Sequence, residues 1–320
     1  MFFSSISSVI AIVLLIAVGY ALKRFKWIGE SFSKEVSKIV LNIALPASVF
    51  IAVLEDIKVN ELQSLGIDIL IPIGAVIVSY IIAFILMKIF RVRQERKGVF
   101  INAVVNTNSG FIGMPLTLAI FGEKSMPYYL LFFVVSMVSI WVIGVFVMAI
   151  TNPSRDSNGK AISLKKLLTP PLIGMVLGII FLVCGIHIPT FANSTLTYLG
   201  DLVSPLAMIY VGIVLCDAGL KNIRLDKDSV LSLVGRFIIC PIIIIVILIM
   251  GTNMFGMNIS SLIANTYIVQ SATPMIAVLP ILADQYNGDV KYATDITTIS
   301  TVLFIIVIPV LIFMTQSMVF

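Results

Sequence analysis

The stretch Asn102-Ala-Val-Val-Asn106-Thr107-Asn108-Ser-Gly110-Phe-Ile-Gly113-Met-Pro115 lies inside an apolar run, and its polar residues and helix breakers decide how the whole chain is read. Proline removes a backbone donor and its ring clashes with the preceding turn. Gly110 and Gly113 loosen the same region. Carbonyls and amides freed in this way cannot be satisfied by lipid, so they must face protein, water or a ligand. A second apolar run, Asn265-Thr-Tyr-Ile-Val-Gln270-Ser271-Ala-Thr273-Pro274, is interrupted in the same manner.

Around these two runs the chain has 320 residues, of which 59% are hydrophobic and 12% charged, and its mean hydropathy is +1.12. Globular chains carry about a quarter charged residues, so most of this surface lacks ionic cover and its solvent is lipid. A bilayer core of about 30 Å takes roughly 20 apolar residues per helix. Ten stretches qualify: 5–22, 36–54, 67–89, 99–121, 128–150, 170–186, 197–216, 230–250, 260–283 and 292–315. The expected fold is therefore an all-α integral membrane protein of ten transmembrane helices. No Lys or Arg precedes Lys23, whereas a cleaved signal peptide carries positive charge ahead of its apolar core, so 5–22 is read as a retained helix. The polar segment 151–168 is the expected cytoplasmic linker between two five-helix halves, 1–150 and 169–320.

The net charge of +5 serves orientation rather than nucleic-acid binding. Of the 21 Lys and Arg, all but Lys58 and Lys124 fall on one side when the ten spans are threaded through the membrane. That bias makes the protein multi-pass in the cell membrane with both termini outside. Arg236 is counted in this tally with the cations that open the eighth span. Cys184, Cys216 and Cys240 have no paired spacing and read as small buried hydrophobes, and the lone His187 sits in a short Gly-Ile-His-Ile-Pro turn. No metal site, cofactor fingerprint, nucleophile elbow or His-Glu-x-x-His pattern is present, which argues against an enzyme.

At a fixed shift of 159 residues, Gly19 aligns with Gly178, Pro46 with Pro205, Asn106 with Asn265, Thr107 with Thr266, and Pro115 with Pro274. Five helices per half is an odd number, so the second half enters the membrane from the opposite side. Inverted repeats with paired interruptions at matching positions point to a substrate site near the bilayer midplane. Half-helix amino ends there present partial positive charge to an anion. Asn106, Thr107, Asn108, Gln270, Ser271 and Thr273 are the candidate donors, with Gly110, Gly113, Pro115 and Pro274 breaking the helices. No Lys or Arg is read as mid-span, so amides and hydroxyls rather than a buried arginine are expected to hold the substrate. Ionisable groups inside spans default to functional hypotheses. Asp201, its repeat mate Asn42, and Asp295 in a Thr-rich stripe are the candidates for proton or ion coupling, the alternative for Asp201 being a plain interface aspartate.

These residues resemble the auxin efflux carrier family of membrane transporters over essentially the whole chain. The most specific pieces are Asn108-Ser-Gly-Phe-Ile-Gly113-Met-Pro115 and Ile268-Val-Gln270-Ser-Ala-Thr-Pro274, with Ala44-Leu-Pro46, Trp141 and Leu199-Gly-Asp201 in support. The resemblance implies ten helices in a scaffold part and a transport part, the latter containing crossed, broken fourth and ninth helices, with elevator-like or rocking motion. It implies a permease moving a small organic anion, such as malate, malonate or an auxin-like carboxylate, by alternating access. Two features depart from the family: Thr169-Pro170-Pro171 replaces the frequent Asn-Pro opening of the sixth helix, and the long loop of many plant exporters is missing. The alternative is a sodium-coupled symporter of the bile-acid type. A proton or sodium ion as coupling partner and a second copy as homodimer both stay open.

Overall fold

A computed structural model describes residues 2–56, 66–151, 170–217 and 225–317, which are helical and contain no β-strand. The linker expected at 151–168 lies outside these residues except for Thr151. The first half contains α1 (Phe2–Arg24), α2 (Phe32–Ile39), α3 (Leu45–Asp56), α4 (Leu70–Ile89), α5 (Lys97–Val105), α6 (Met114–Phe121), α7 (Met126–Val138) and α8 (Val145–Thr151). The second contains α9 (Pro170–Cys184), α10 (Thr190–Asp201), α11 (Val203–Asp217), α12 (Lys227–Val234), α13 (Cys240–Phe255), α14 (Ser261–Ser271), α15 (Leu279–Gln285) and α16 (Val290–Ser317). Each of the ten apolar stretches carries helix. Among the described residues, five helical runs are long and apolar enough to cross a membrane: Phe32–Glu55, Gly66–Ile89, Glu123–Thr151, Thr190–Val214 and Lys227–Phe255.

The helices are apolar outside and polar within. On α4, Ile73, Ile77, Ile81, Ile85 and Ile89 recur every fourth residue on the exposed face, while Ser79 and Tyr80 are buried. That is the reverse of a water-soluble helix and suits lipid as solvent, because polar groups must find partners inside the protein.

The chain divides into two compact units, each drawn from both sequence halves. Unit 1 comprises Met1–Asp68, Gly110–Leu131 and Leu168–Gly219; unit 2 comprises Ile69–Ser109, Phe132–Leu167 and Leu220–Phe320. In unit 1, α1 packs along α11 and α3 along α9. Both pairs depend on glycine at the crossing. Gly19 lies directly on the backbone of Ile209, and a Cβ at Gly178 would come within 2.9 Å of Val53 Cβ and 3.2 Å of the Phe50 carbonyl. In unit 2, α4 packs against α5 and α13, and α15 against α5 and α16. Its core brings together Phe100, Val104 and Val147 on one side and Ile140, Met275, Leu279 and Ile296 on another.

Of the three cysteines read as buried, only Cys240 is; Cys184 is exposed and Cys216 intermediate. Cys184 ends α9 in an apolar helix, where hydropathy alone does not tell the lipid face from the core face.

Candidate functional site

The gaps of the two interrupted helices meet inside unit 2, while α6, which resumes the first helix, belongs to unit 1. Helix α5 stops at Val105 because Asn106 takes an extended conformation, φ −90° and ψ 126°. Helix α14 stops at Ser271, and the chain stays non-helical until α15 begins at Leu279. The two gaps lie antiparallel, with Thr107 bridged to Met275. The Asn108 amide donates to the Pro274 carbonyl at 2.8 Å, and the Ile276 amide donates to the Asn106 carbonyl at 3.2 Å. Each broken helix thus satisfies the backbone groups the other has freed, as an apolar environment requires. The Met275 amide finds the Ser300 hydroxyl of α16 at 3.2 Å.

All six candidate donors belong to unit 2 and all are buried. They are not equivalent. Asn106 donates to Tyr80 Oη (3.1 Å) and Asn102 Oδ1 (2.8 Å) and accepts from Ser139 Oγ (2.6 Å), so its side-chain amide is occupied by the fold. Asn102 in turn donates to the carbonyls of Gly98 and Gly144. The Ser271 hydroxyl donates to the Ile268 carbonyl and the Thr273 hydroxyl to the Gln270 carbonyl. The hydroxyl of Thr107 is buried with no hydrogen-bond partner.

The helix breakers act differently from expectation. Pro115 stands in the first turn of α6, where its missing donor is harmless, and Gly113 just before it has an ordinary helical φ of −63°. Ser109–Gly113 forms a π-helical turn. The interruption is made by the extended Asn106 and the bridge rather than by unusual glycine conformations.

The expectation of a site without a buried cation is overturned. Arg236 is only 1% exposed and is the largest fully buried side chain among the described residues. A π-helical turn, Gly235–Ile239, carries it, and Gly235 packs so closely on Val104 that a Cβ there would lie 2.7 Å from Val104 Cγ2. Its Nη1 donates to the carbonyls of Val104 (2.9 Å) and Val105 (2.8 Å), and its Nη2 donates to the Ser271 carbonyl. These oxygens are the negative carboxyl ends of α5 and α14. The carboxyl ends of α5 and α14 converge here, and arginine supplies the positive charge. Tallying Arg236 with the loop cations concealed its depth. The available signal was its position within the 230–250 span, followed by Phe-Ile-Ile-Cys-Pro-Ile-Ile-Ile-Ile.

A cavity of about 20 Å³ lies at the crossing, lined among others by Asn106, Thr107, Ser136, Ser139, Arg236 and Ser271. That space holds about one water molecule.

The candidates for ion coupling lie elsewhere. Asn42 and Asp201 belong to unit 1; Asn42 Nδ2 donates to the Lys38 carbonyl, and Asp201 is exposed at the end of α10. Asp295, in unit 2, pairs with Lys291 one turn earlier at 3.2 Å.

A polar cluster in unit 2 fastens the approaches to the broken helices. Arg96 pairs with Asp226 at 2.5 Å and Asp289 at 2.7 Å, lies 3.6 Å from Asp228, and stacks 4.5 Å from the ring centre of Tyr292. Burial disfavours the Asp226 carboxylate, but hydrogen bonds from Arg96 and Ser229 outweigh it and bring its pKa down to about 2.

A sequence model described as membrane transport protein matches residues 4–312, and the chain belongs to that family, the auxin efflux carriers its motifs resemble. An uncharacterized transporter of Methanocaldococcus jannaschii is 28% identical over 305 residues, covering 94% of this chain and 95% of that protein. An uncharacterized transporter of Methanothermobacter thermautotrophicus is 25% identical over 312 residues, covering 96% and 97%. The chain is accordingly a membrane transport protein whose solvent is the lipid bilayer.

Proposed function

We propose that the protein is a secondary transporter that moves a small organic anion across the cell membrane by alternating access, with ten spans in two inverted repeats and both termini outside. The crossing of the broken helices at Thr107 and Met275, ringed by buried amides and hydroxyls, carries this reading. Such interruptions persist in lipid only where protein, water or a ligand satisfies the backbone. Packing in unit 1 supports the repeat: Gly19 rests on Ile209 and Gly178 on Phe50, and the same 159-residue shift carries one contact onto the other. Unit 2, which holds the crossing, is the candidate transport part, and unit 1 the candidate scaffold.

Arg236 bears on the coupling ion. A sodium ion at the crossing would need carbonyl oxygens, and those of Val104, Val105 and Ser271 already accept from Arg236. This favours a carrier that works without sodium over the bile-acid-type alternative. Asp201, Asn42 and Asp295 are carried forward as candidates for proton or ion coupling. The test is uptake by proteoliposomes of malate, malonate and indole-3-acetate, in sodium or choline buffer. Saturable uptake of at least one carboxylate at equal rates in both buffers is expected; strict sodium dependence would replace this reading with the symporter.

A further inference from the structure

Resting on the organic-anion reading above, we infer that Arg236 is the charged half of a carboxylate subsite at the crossing, with the Thr107 hydroxyl as its neutral companion. A guanidinium has five N–H donors. Three are used, two by the carbonyls of Val104 and Val105 and one by that of Ser271. The remaining two are the Nε–H, which is buried without a partner, and one hydrogen on Nη2. Nε and Nη2 share one edge of the planar group, and that edge matches the two oxygens of a carboxylate.

The second observation is independent of the first. Thr107 Oγ1 is also buried and unpartnered, and Thr107 and Arg236 line the same small cavity. Two orphaned polar groups in one water-sized space are costly in an apolar interior unless something polar joins them. Among the described residues no carboxylate side chain lines this cavity or pairs with Arg236, so its positive charge is not spent on an ion pair with them. A substrate carboxylate supplies the missing acceptors and countercharge together. The cavity must widen to admit it, which ties substrate binding to the conformational step of transport.

Capping the two helix ends is a separate duty of the same side chain, and lysine separates the two. A lysine ammonium has three donors, enough for the three carbonyls and none to spare for substrate. Arg236→Lys is therefore expected to keep the thermal unfolding midpoint of the ligand-free protein while malonate and malate binding, read as thermal stabilisation and as proteoliposome uptake, weakens at least about tenfold. Thr107→Val, which removes a hydroxyl without changing shape, keeps the test decisive if the lysine variant does not fold; it is expected to weaken the same probes severalfold at undiminished stability. Unchanged malonate and malate affinity in either folded variant overturns the subsite while leaving anion transport intact. A wild-type protein that moves only neutral or cationic solutes overturns both.

Discussion

Asn106 shows how a residue that looks like a substrate ligand in the sequence can be a structural hub. Both hydrogens and the oxygen of its side-chain amide are engaged by Tyr80, Asn102 and Ser139, residues contributed by three different spans. Its polarity within an apolar run was legible; its partners were not, since they are brought together only by tertiary packing. Gly144 makes the same network possible. Its carbonyl accepts from Asn102 Nδ2 at 3.1 Å, and a Cβ there would collide with the Asn102 side-chain oxygen. Gly144→Ala is expected to destabilise the protein by about 1–3 kcal/mol through this overlap. The measurement is the thermal unfolding midpoint in detergent, and a midpoint equal to wild type would show that the network tolerates the methyl group.

At the scale of elements, hydropathy located the ten helical stretches because a 3.6-residue helix in lipid needs an apolar run and little else. It located the two interruptions for the same reason: polar and helix-breaking residues have few other uses there. The mechanism of interruption was not legible. Proline and glycine were read as the breakers, whereas α5 ends at an extended Asn106, and α5 and α14 pair across their gaps and have their carboxyl ends capped by one arginine from the turn before α13. The amino ends of α5, α12 and α16 are held together by Arg96 and its carboxylates. Asp226 also caps α12, accepting from the Ser229 amide at 3.1 Å. Because its folded pKa is depressed from 3.8 to about 2, its contribution is fully present above about pH 4 and disappears as the pH falls through about 2. Asp226→Asn should therefore lower the unfolding midpoint at neutral pH, with the gap from wild type closing below about pH 4. A gap independent of pH would mean that the charge at Asp226 contributes nothing.

For the whole molecule, the scarcity and placement of charge were enough to call for a bilayer, and the motifs were enough to indicate the family to which the chain belongs. The division into compact units was hidden, because each unit takes segments from both halves of the sequence. The depth of Arg236 was hidden by the orientation tally, which registers the sign of a charge and not its burial. The central claim is that transport proceeds through the crossing, and Asn108 and Pro115 test it most directly. Alanine at 108 keeps the backbone amide that donates to the Pro274 carbonyl and removes only the buried side chain at the crossing, whereas Pro115, harmless in the first turn of α6, serves as the comparison. The deciding measurement is carboxylate uptake by proteoliposomes containing Asn108→Ala or Pro115→Ala protein, with membrane insertion verified separately. Uptake is predicted to fall to background for Asn108→Ala and to persist for Pro115→Ala while insertion is unchanged in both; wild-type flux in Asn108→Ala would contradict transport through the crossing.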